Sequence, residues 1–198
     1  MLQWGEAMVK KEVVEFFDKM APDWDNDQSR NEEVISLILE NGGIREGKKI
    51  LDVACGTGVL FPDYISRGAR VTGVDISTEM VRIAKEKYPS LKVICADAEN
   101  FCFDESFDAI MIYNAFPHFI NPKALFENLI KHLESGGRLT VAHGMSEKTL
   151  QQCHSGKAQR ISKPLPSKER LKEMMSDYLD VDIMISDEEK YIVSGTKK

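Results

Sequence analysis

Residues 51 to 58 read Leu51-Asp52-Val53-Ala54-Cys55-Gly56-Thr57-Gly58, LDVACGTG, an apolar β-rich run that breaks into two closely spaced glycines. Gly56 and Gly58 carry no Cβ, so the main chain there can turn sharply and approach a ligand, and Pro62 falls in the early turns of the helix expected next. Strand, glycine loop and helix in this order form a cofactor cradle, although an ordinary glycine turn between strand and helix has the same pattern. The flanking sequence has to separate the two.

Outward from this stretch the chain alternates short β-rich runs with amphipathic helices. The runs are KILDVA (49–54), RVTGVD (70–75), LKVICA (91–96), FDAIMIY (107–113) and GRLTVA (137–142). Apolar strands separated by helices predict a parallel sheet covered on both faces. Asn121-Pro122 reads as an N-cap with proline at the first helical position, and Gly136-Gly137 is expected to end the helix carrying Leu125, Leu129 and Leu133. Beyond Pro164 and Pro166 come a helix, KERLKEMMSDY, and two further runs, DVDIMIS (180–186) and KYIVSGT (190–196). Only Asp187 to Glu189 separate those two runs, too few for a crossover helix, so they are predicted to pair as an antiparallel hairpin at the end of the sheet. The fold class is α/β: a seven-stranded, mostly parallel sheet with an antiparallel last strand and helices on both faces. Two helices precede it, one marked by Val9, Val13, Phe16, Phe17 and Met20 and one by Val34, Ile35, Ile38 and Leu39 before Asn41-Gly42-Gly43.

Composition narrows the function. A chain of 198 residues with 42% hydrophobic and 29% charged side chains is expected to fold as one domain, 1–198, with a real core. Its formal charge of -6 gives no electrostatic reason to bind nucleic acid. The longest uncharged stretch, Ala109 to Pro122, falls short of the roughly 20 residues that span a bilayer, and no membrane association is expected. The N-terminal MLQWGEAMVKKEVVEFF lacks an uninterrupted apolar centre, so a cytoplasmic location is expected. Cys55, Cys95, Cys102 and Cys153 fit no CxxC spacing and are read as reduced, mostly buried thiols.

In open α/β sheets ligands lie beyond the carboxyl ends of the strands, so the residue at each tip matters. The second strand ends at Asp75, whose carboxylate is placed to accept from the vicinal hydroxyls of a ribose; Ser77 is available to cap the following helix. The third ends in CADAEN, where Asp97 can accept from an adenine amino group while the Ala98 amide donates to a ring nitrogen, or the segment can be a simple turn.

Together these motifs resemble those of the class I S-adenosylmethionine-dependent methyltransferases, in particular the small single-domain type. LDVACGTG is similar to that family's first motif, GVDIS to its second, CADAEN to its third, and FDAIMIYNAFPHF and GGRLTVAH to its fourth strand and successor, over about Val9 to Thr196. The closing strand pair also resembles the family's reversed final strand. The first motif usually carries an earlier glycine where Ala54-Cys55 stand here. The resemblance implies a Rossmann-like fold and S-adenosylmethionine as cofactor, with S-adenosylhomocysteine as product. It implies that Asp52 lies near the methionyl end and that the main chain at Ala54, Gly56 and Gly58 lines the cofactor. It further implies that Asp75 holds the ribose, Ile76 packs on adenine, Asp97 and Ala98 read its edge, and Asn114 faces the sulfonium. FFDKMAPDWDND (16–27) is similar to the family's cap, so Trp24 is expected either to close over the cofactor or to pack between the first two helices.

A sulfonium methyl needs no acid to leave, because the departing thioether is neutral. Holding both partners in attack geometry can contribute about 7–11 kcal/mol, and a base is required only for an acceptor that is protonated at working pH. His118 follows the fourth strand and His143 ends the fifth, so these two are the candidate catalytic residues, converging with His154 or Cys153 as a base or as ligands for an acceptor or metal; local hydrogen bonding is the alternative. No metal is assigned. His132, at a helix C-terminus, is expected to be exposed. Residues 1–45 are read as a helical cap and 144–166 as a substrate lid. The expected partner is a small-molecule acceptor (thiol, phenol, amine or carboxylate), with the protein a monomer or homodimer. Competing readings are a nicotinamide-dependent oxidoreductase, which shares the glycine loop and Asp75, and a non-catalytic cofactor-binding module.

Overall fold

The computed structural model describes residues 2–26, 30–146, 149 and 161–198, with the backbone alone for residues 2–9. Seven strands form one sheet: β1 (Lys49–Val53), β2 (Arg70–Asp75), β3 (Lys92–Cys95), β4 (Phe107–Tyr113), β5 (Leu133–His143), β6 (Leu179–Ser186) and β7 (Tyr191–Lys197). Among the described residues six helices surround it: α1 (Leu2–Met20), α2 (Glu32–Asn41), α3 (Phe61–Ser66), α4 (Thr78–Lys87), α5 (Pro122–Lys131) and α6 (Lys168–Ser176). The strand order is β3-β2-β1-β4-β5-β7-β6. β1 to β5 pair in parallel, and β7 runs antiparallel between β5 and β6. The chain leaves β1 toward β2 on one side and returns from β3 to β4 on the other, so the order reverses between β1 and β4, where an α/β crevice forms.

Period-two alternation sends neighbouring residues to opposite faces. Leu51, Val53, Ile110, Ile112, Leu139 and Val141 pack against Leu125 and Leu129 of α5 and Leu171 and Met175 of α6. Ile50, Val71, Ala109 and Met111 pack on the other face against Ile35, Ile38 and Leu39 of α2, with Phe61 and Tyr64 of α3 and Val81 of α4. Burying a Leu, Ile or Val side chain fully contributes about 1.5–3 kcal/mol, so these two layers hold the sheet rigid under whatever its strand tips carry. Helix starts are defined locally: the side chains of Asn31, Ser77, Asn121 and Ser167 accept from the amides of Val34, Met80, Ala124 and Arg170.

Three expectations are corrected. Gly136-Gly137 does not end α5, which stops at Lys131. Leu133 already pairs with Phe107, and the ladder resumes at Ala109 and Arg138, so the two glycines lie in an irregularity that absorbs extra residues of β5. His132 is buried rather than exposed, edge-on to Phe103, and burial pushes its pKa down. Cys95 and Cys102 are exposed, and only Cys55 of the described cysteines is buried. Among the described residues no helix is long and apolar enough to cross a membrane.

Candidate functional site

A cavity of about 570 Å³ opens at the carboxyl ends of β1 to β5, roofed by α1 and the segment after it. Every residue predicted for the cofactor except Gly58 lines it, together with His118 and His143.

The floor is the loop after β1. Ala54 adopts φ 57°, Gly56 φ 56° and Gly58 φ 85°, three left-handed residues within five positions. Gly58 serves the loop from behind: a Cβ there would come within 2.6 Å of Phe61 and 2.9 Å of Tyr88. Ala54 stands where a glycine would be unstrained, which is the physical content of its departure from the family's motif.

Asp75 closes the loop from the side. Its Oδ2 accepts from the Gly56 amide at 2.9 Å and its Oδ1 from the Ser77 amide at 2.8 Å. Burial raises its pKa, opposed by those two amides. Each oxygen keeps a further lone pair, so the carboxylate can still accept from ligand hydroxyls. Asp52, one strand over, is 3% exposed. Burial and the nearby Asp75 charge hold its pKa well above the carboxylate range, with the Tyr64 hydroxyl opposing. Two buried acids side by side form a site that a cation would relieve.

At the tip of β3, Asp97 Oδ1 accepts from the Glu99 amide at 3.0 Å. Its Oδ2 receives the Lys10 ammonium of α1 at 2.6 Å, and Lys10 also pairs with Glu99 at 2.5 Å. Burial opposes the Lys10 charge, but the hydrogen bonds to the two carboxylates outweigh it and raise its pKa. Glu99 in turn accepts from the amides of Ile120 and Asn121, and Asn128 donates to the Ala98 carbonyl. The Ala98 turn is therefore fixed from several sides. Ile76 lies half-buried between the β2 and β3 tips.

Trp24 stands over the glycine loop, its indole Nε1 3.5 Å from where a Gly56 Cβ would be, and packs edge-on against Phe17. Trp24 therefore lines the cavity while packing on α1. The roof is pinned by polar contacts as well. Asp18 accepts from the Ser77 hydroxyl and the Glu79 amide, Thr57 donates to Asp25 at 2.6 Å, and Arg30 reaches the Val59 carbonyl and Asp63. Sequence reading missed Lys10, Asp18, Asp25 and Arg30. Lys10 left a signal: it shares a helical face with Val13 and Phe17, a cation on an otherwise apolar stripe.

Across the crevice, Asn114 at the β4 tip adopts φ 53° and its Oδ1 accepts from the Gly144 amide at 3.0 Å, tying β4 to the end of β5. Tyr113 is half-buried beside it, its pKa raised by burial; a Cβ at Gly144 would come within 2.5 Å of the Tyr113 hydroxyl. His118 lies edge-on to Phe17, and His143 is wholly buried beside Tyr191. Cys153 and His154, with much of the 144–166 segment, lie outside the described residues. Among the described residues no group of three or more His, Cys, Asp or Glu gathers in a metal-binding arrangement.

The cavity thus has two halves. Acids and fixed main-chain groups stand at the tips of β3, β2 and β1, and aromatic rings and imidazoles stand beyond β4 and β5. The first suits a polar cofactor, and the second a smaller, less polar partner.

The pattern of the methyltransferase domain matches residues 50–137. The demethylmenaquinone methyltransferase of Paenarthrobacter aurescens is 31% identical over 137 residues, covering 66% of this chain; the chain spans 54% of that relative's length. Among solved structures, the putative methyltransferase bound to the Trm112 activator of Haloferax volcanii superposes with a TM-score of 0.77 at 21% identity, covering 91% of this chain and 97% of that one. The magnesium protoporphyrin IX methyltransferase of Synechocystis with bound S-adenosylhomocysteine superposes with a TM-score of 0.71 at 18% identity, covering 96% and 100%. Residues 50–137 thus carry the methyltransferase-domain pattern, and the seven-stranded sheet with its antiparallel last strands is the fold of the solved methyltransferases that superpose on this chain.

Proposed function

We propose that this chain binds S-adenosylmethionine in the cavity and transfers its methyl group to a small-molecule nucleophile by in-line displacement. The observation that carries this reading is the order of groups on three adjacent strand tips: Asp97 and Ala98, then Asp75, then the Gly56 loop, which Asp75 holds by a direct hydrogen bond. That order suits an adenine edge, a ribose and a methionyl chain laid across the sheet. Asp52, a buried acid beside the loop, suits the cofactor's ammonium. The cofactor supplies the electrophilic methyl, and the protein's residues align and enclose it.

In the transfer, a lone pair of the acceptor forms the bond to the methyl carbon while the sulfur–methyl bond breaks and its electron pair stays on sulfur. An acceptor bearing a proton gives it up to His118, which lines the aromatic half; His143 is proposed as a substrate contact. Residues 1–45 act as the cap and 144–166 as the substrate lid, enclosing the reaction from water. Kinship with an enzyme named for demethylmenaquinone supports a small-molecule acceptor.

Calorimetric titration with S-adenosylhomocysteine and, separately, with NAD tests the reading. Saturable binding of the homocysteine product and none of NAD is expected; binding of NAD alone would overturn it.

A further inference from the structure

Asp52 and Asp75 are diagonal neighbours on one face of the sheet. In the β1–β2 ladder Asp52 stands opposite Gly73, so Asp75, two residues further along β2, projects to the same side. Both acids line the cavity and both are buried, at 3% and 8% exposure. Gly73 puts no side chain between them, and the Cys55 sulfur lies 2.8 Å from where its Cβ would be.

The two carboxyl groups are served differently. Asp75 accepts from the Gly56 amide at 2.9 Å and from the Ser77 amide at 2.8 Å. Asp52 accepts from no N–H and meets no Lys or Arg among the described residues. The titratable groups that face it are Asp75 from β2, Tyr64 from α3 and Cys55 from the loop after β1, while Met111 stands opposite it on β4. Of these only the Tyr64 hydroxyl favours a charge on Asp52. Ionising both acids is unfavourable, because burial disfavours each anion and each anion disfavours the other. The acid with two amide donors is therefore the anion, and the acid with none holds the proton. Burial and the Asp75 charge push the Asp52 pKa upward in agreement.

The proposed cofactor carries an ammonium on its methionyl chain, the end that the order of strand tips sets beside Asp52. A cation brought there favours the carboxylate over the acid. The Asp52 O–H bond then breaks, its electron pair stays on the carboxylate and the proton leaves to water. The ammonium keeps its own N–H bonds and donates to the new anion.

We propose that Asp52 is a specificity-determining residue that selects the cofactor by its ammonium, exchanging a carboxyl proton for that cation as the cofactor binds. This inference rests on the methyl-transfer reading above, which lays the methionyl chain at Asp52.

Calorimetry of the full chain in phosphate and in Bis-Tris, buffers of different ionisation enthalpy, counts the protons released. From mildly acid to neutral pH, S-adenosylhomocysteine should release a proton on binding, and its affinity should rise by up to about ten-fold per pH unit until the free protein's Asp52 has ionised. 5′-Methylthioadenosine, which keeps the adenosyl group and lacks the ammonium, should bind without that release. Asp52→Asn has no proton to exchange, so S-adenosylhomocysteine should bind it more weakly, without the release and with little dependence on pH.

Binding of S-adenosylhomocysteine with no proton released across this range would overturn the exchange. So would an equal release with 5′-methylthioadenosine, or an equal release in Asp52→Asn. Should that variant bind too weakly to measure, the proton count on the unmodified protein decides. Failure of S-adenosylhomocysteine to bind the unmodified protein at any pH would instead overturn the methyl-transfer reading, and this inference with it.

Discussion

Asp75 Oδ2 accepts a hydrogen bond from the Gly56 amide at 2.9 Å, so the tip of β2 is fastened to the loop leaving β1. One carboxylate thereby shapes the loop and faces the cavity, where the proposed function sets a ribose. Asp75→Ala should weaken binding of S-adenosylhomocysteine by roughly ten- to a hundred-fold, the range expected when hydrogen bonds to a charged group worth about 1.5–3 kcal/mol are lost. Calorimetry checks this, and unchanged affinity would remove Asp75 from the site.

Asp52 gives a prediction whose sign depends on pH. Burial and Asp75 hold its pKa well above the unfolded value, so the folded state keeps this proton more tightly than the unfolded chain does. Folding stability from this group is therefore full at acid pH and declines as pH rises from the unfolded carboxylate range through the raised folded value. Asp52→Asn, which cannot ionise, should match the parent's melting temperature at acid pH and exceed it increasingly toward alkaline pH. A constant difference across pH would contradict the assignment. The same substitution should weaken cofactor binding if the carboxylate pairs with the cofactor's ammonium.

Ala54 sits at φ 57°, a conformation that costs a non-glycine L-residue about 1–2 kcal/mol. Ala54→Gly relieves that strain but adds freedom to the unfolded chain, so a net gain of up to about 1 kcal/mol is expected in denaturant unfolding. A clear loss of stability would show that the alanine methyl makes a contact worth more than its strain.

Gly73 lies in the middle of β2, where a Cβ would come within 2.7 Å of Phe61 and 2.8 Å of the Cys55 sulfur, both buried. Gly73→Ala should destabilise the protein by about 1–3 kcal/mol, the usual cost of overpacking, and should loosen the helix start behind the glycine loop. A neutral result would mean that α3 shifts freely.

Lys10 bridges Asp97 and Glu99, the first half-exposed and the second buried. Lys10→Met should destabilise the docked α1 by about 1 kcal/mol, after allowance for solvent screening of a partly exposed pair. The measurable consequence is faster proteolytic cleavage within α1 at unchanged core stability. Equal cleavage rates would show that Phe17 and its apolar neighbours hold the roof without help.

The fold was legible because its signals are local and repeat. Period-two apolar runs marked the strands, Asn121-Pro122 and Ser77 marked helix starts, and the three-residue gap after Ser186 forced the closing hairpin. What went wrong was a boundary set by tertiary pairing: Gly136-Gly137 looks like a helix stop, yet Leu133 is already claimed by Phe107 across the sheet. His132 was misplaced for a similar reason, since the aromatic Phe103 that covers it is remote in sequence. For the site, the strand tips declared themselves through acid and glycine at the ends of apolar runs. The roof did not, because Lys10, Asp18 and Asp25 are ordinary charges on an amphipathic segment until folding places them against Asp97, Ser77 and Thr57.

The account depends most on how a single adenosyl group would lie across β3, β2 and β1, and a crystal structure with S-adenosylhomocysteine bound measures it directly. The ribose hydroxyls should meet the Asp75 carboxylate, with adenine against Ile76 and its edge at Asp97 and the Ala98 amide. The sulfur should lie toward Asn114, facing the half of the cavity that contains His118. Electron density for the ligand elsewhere on the molecule, or an adenine turned toward β5, would contradict it.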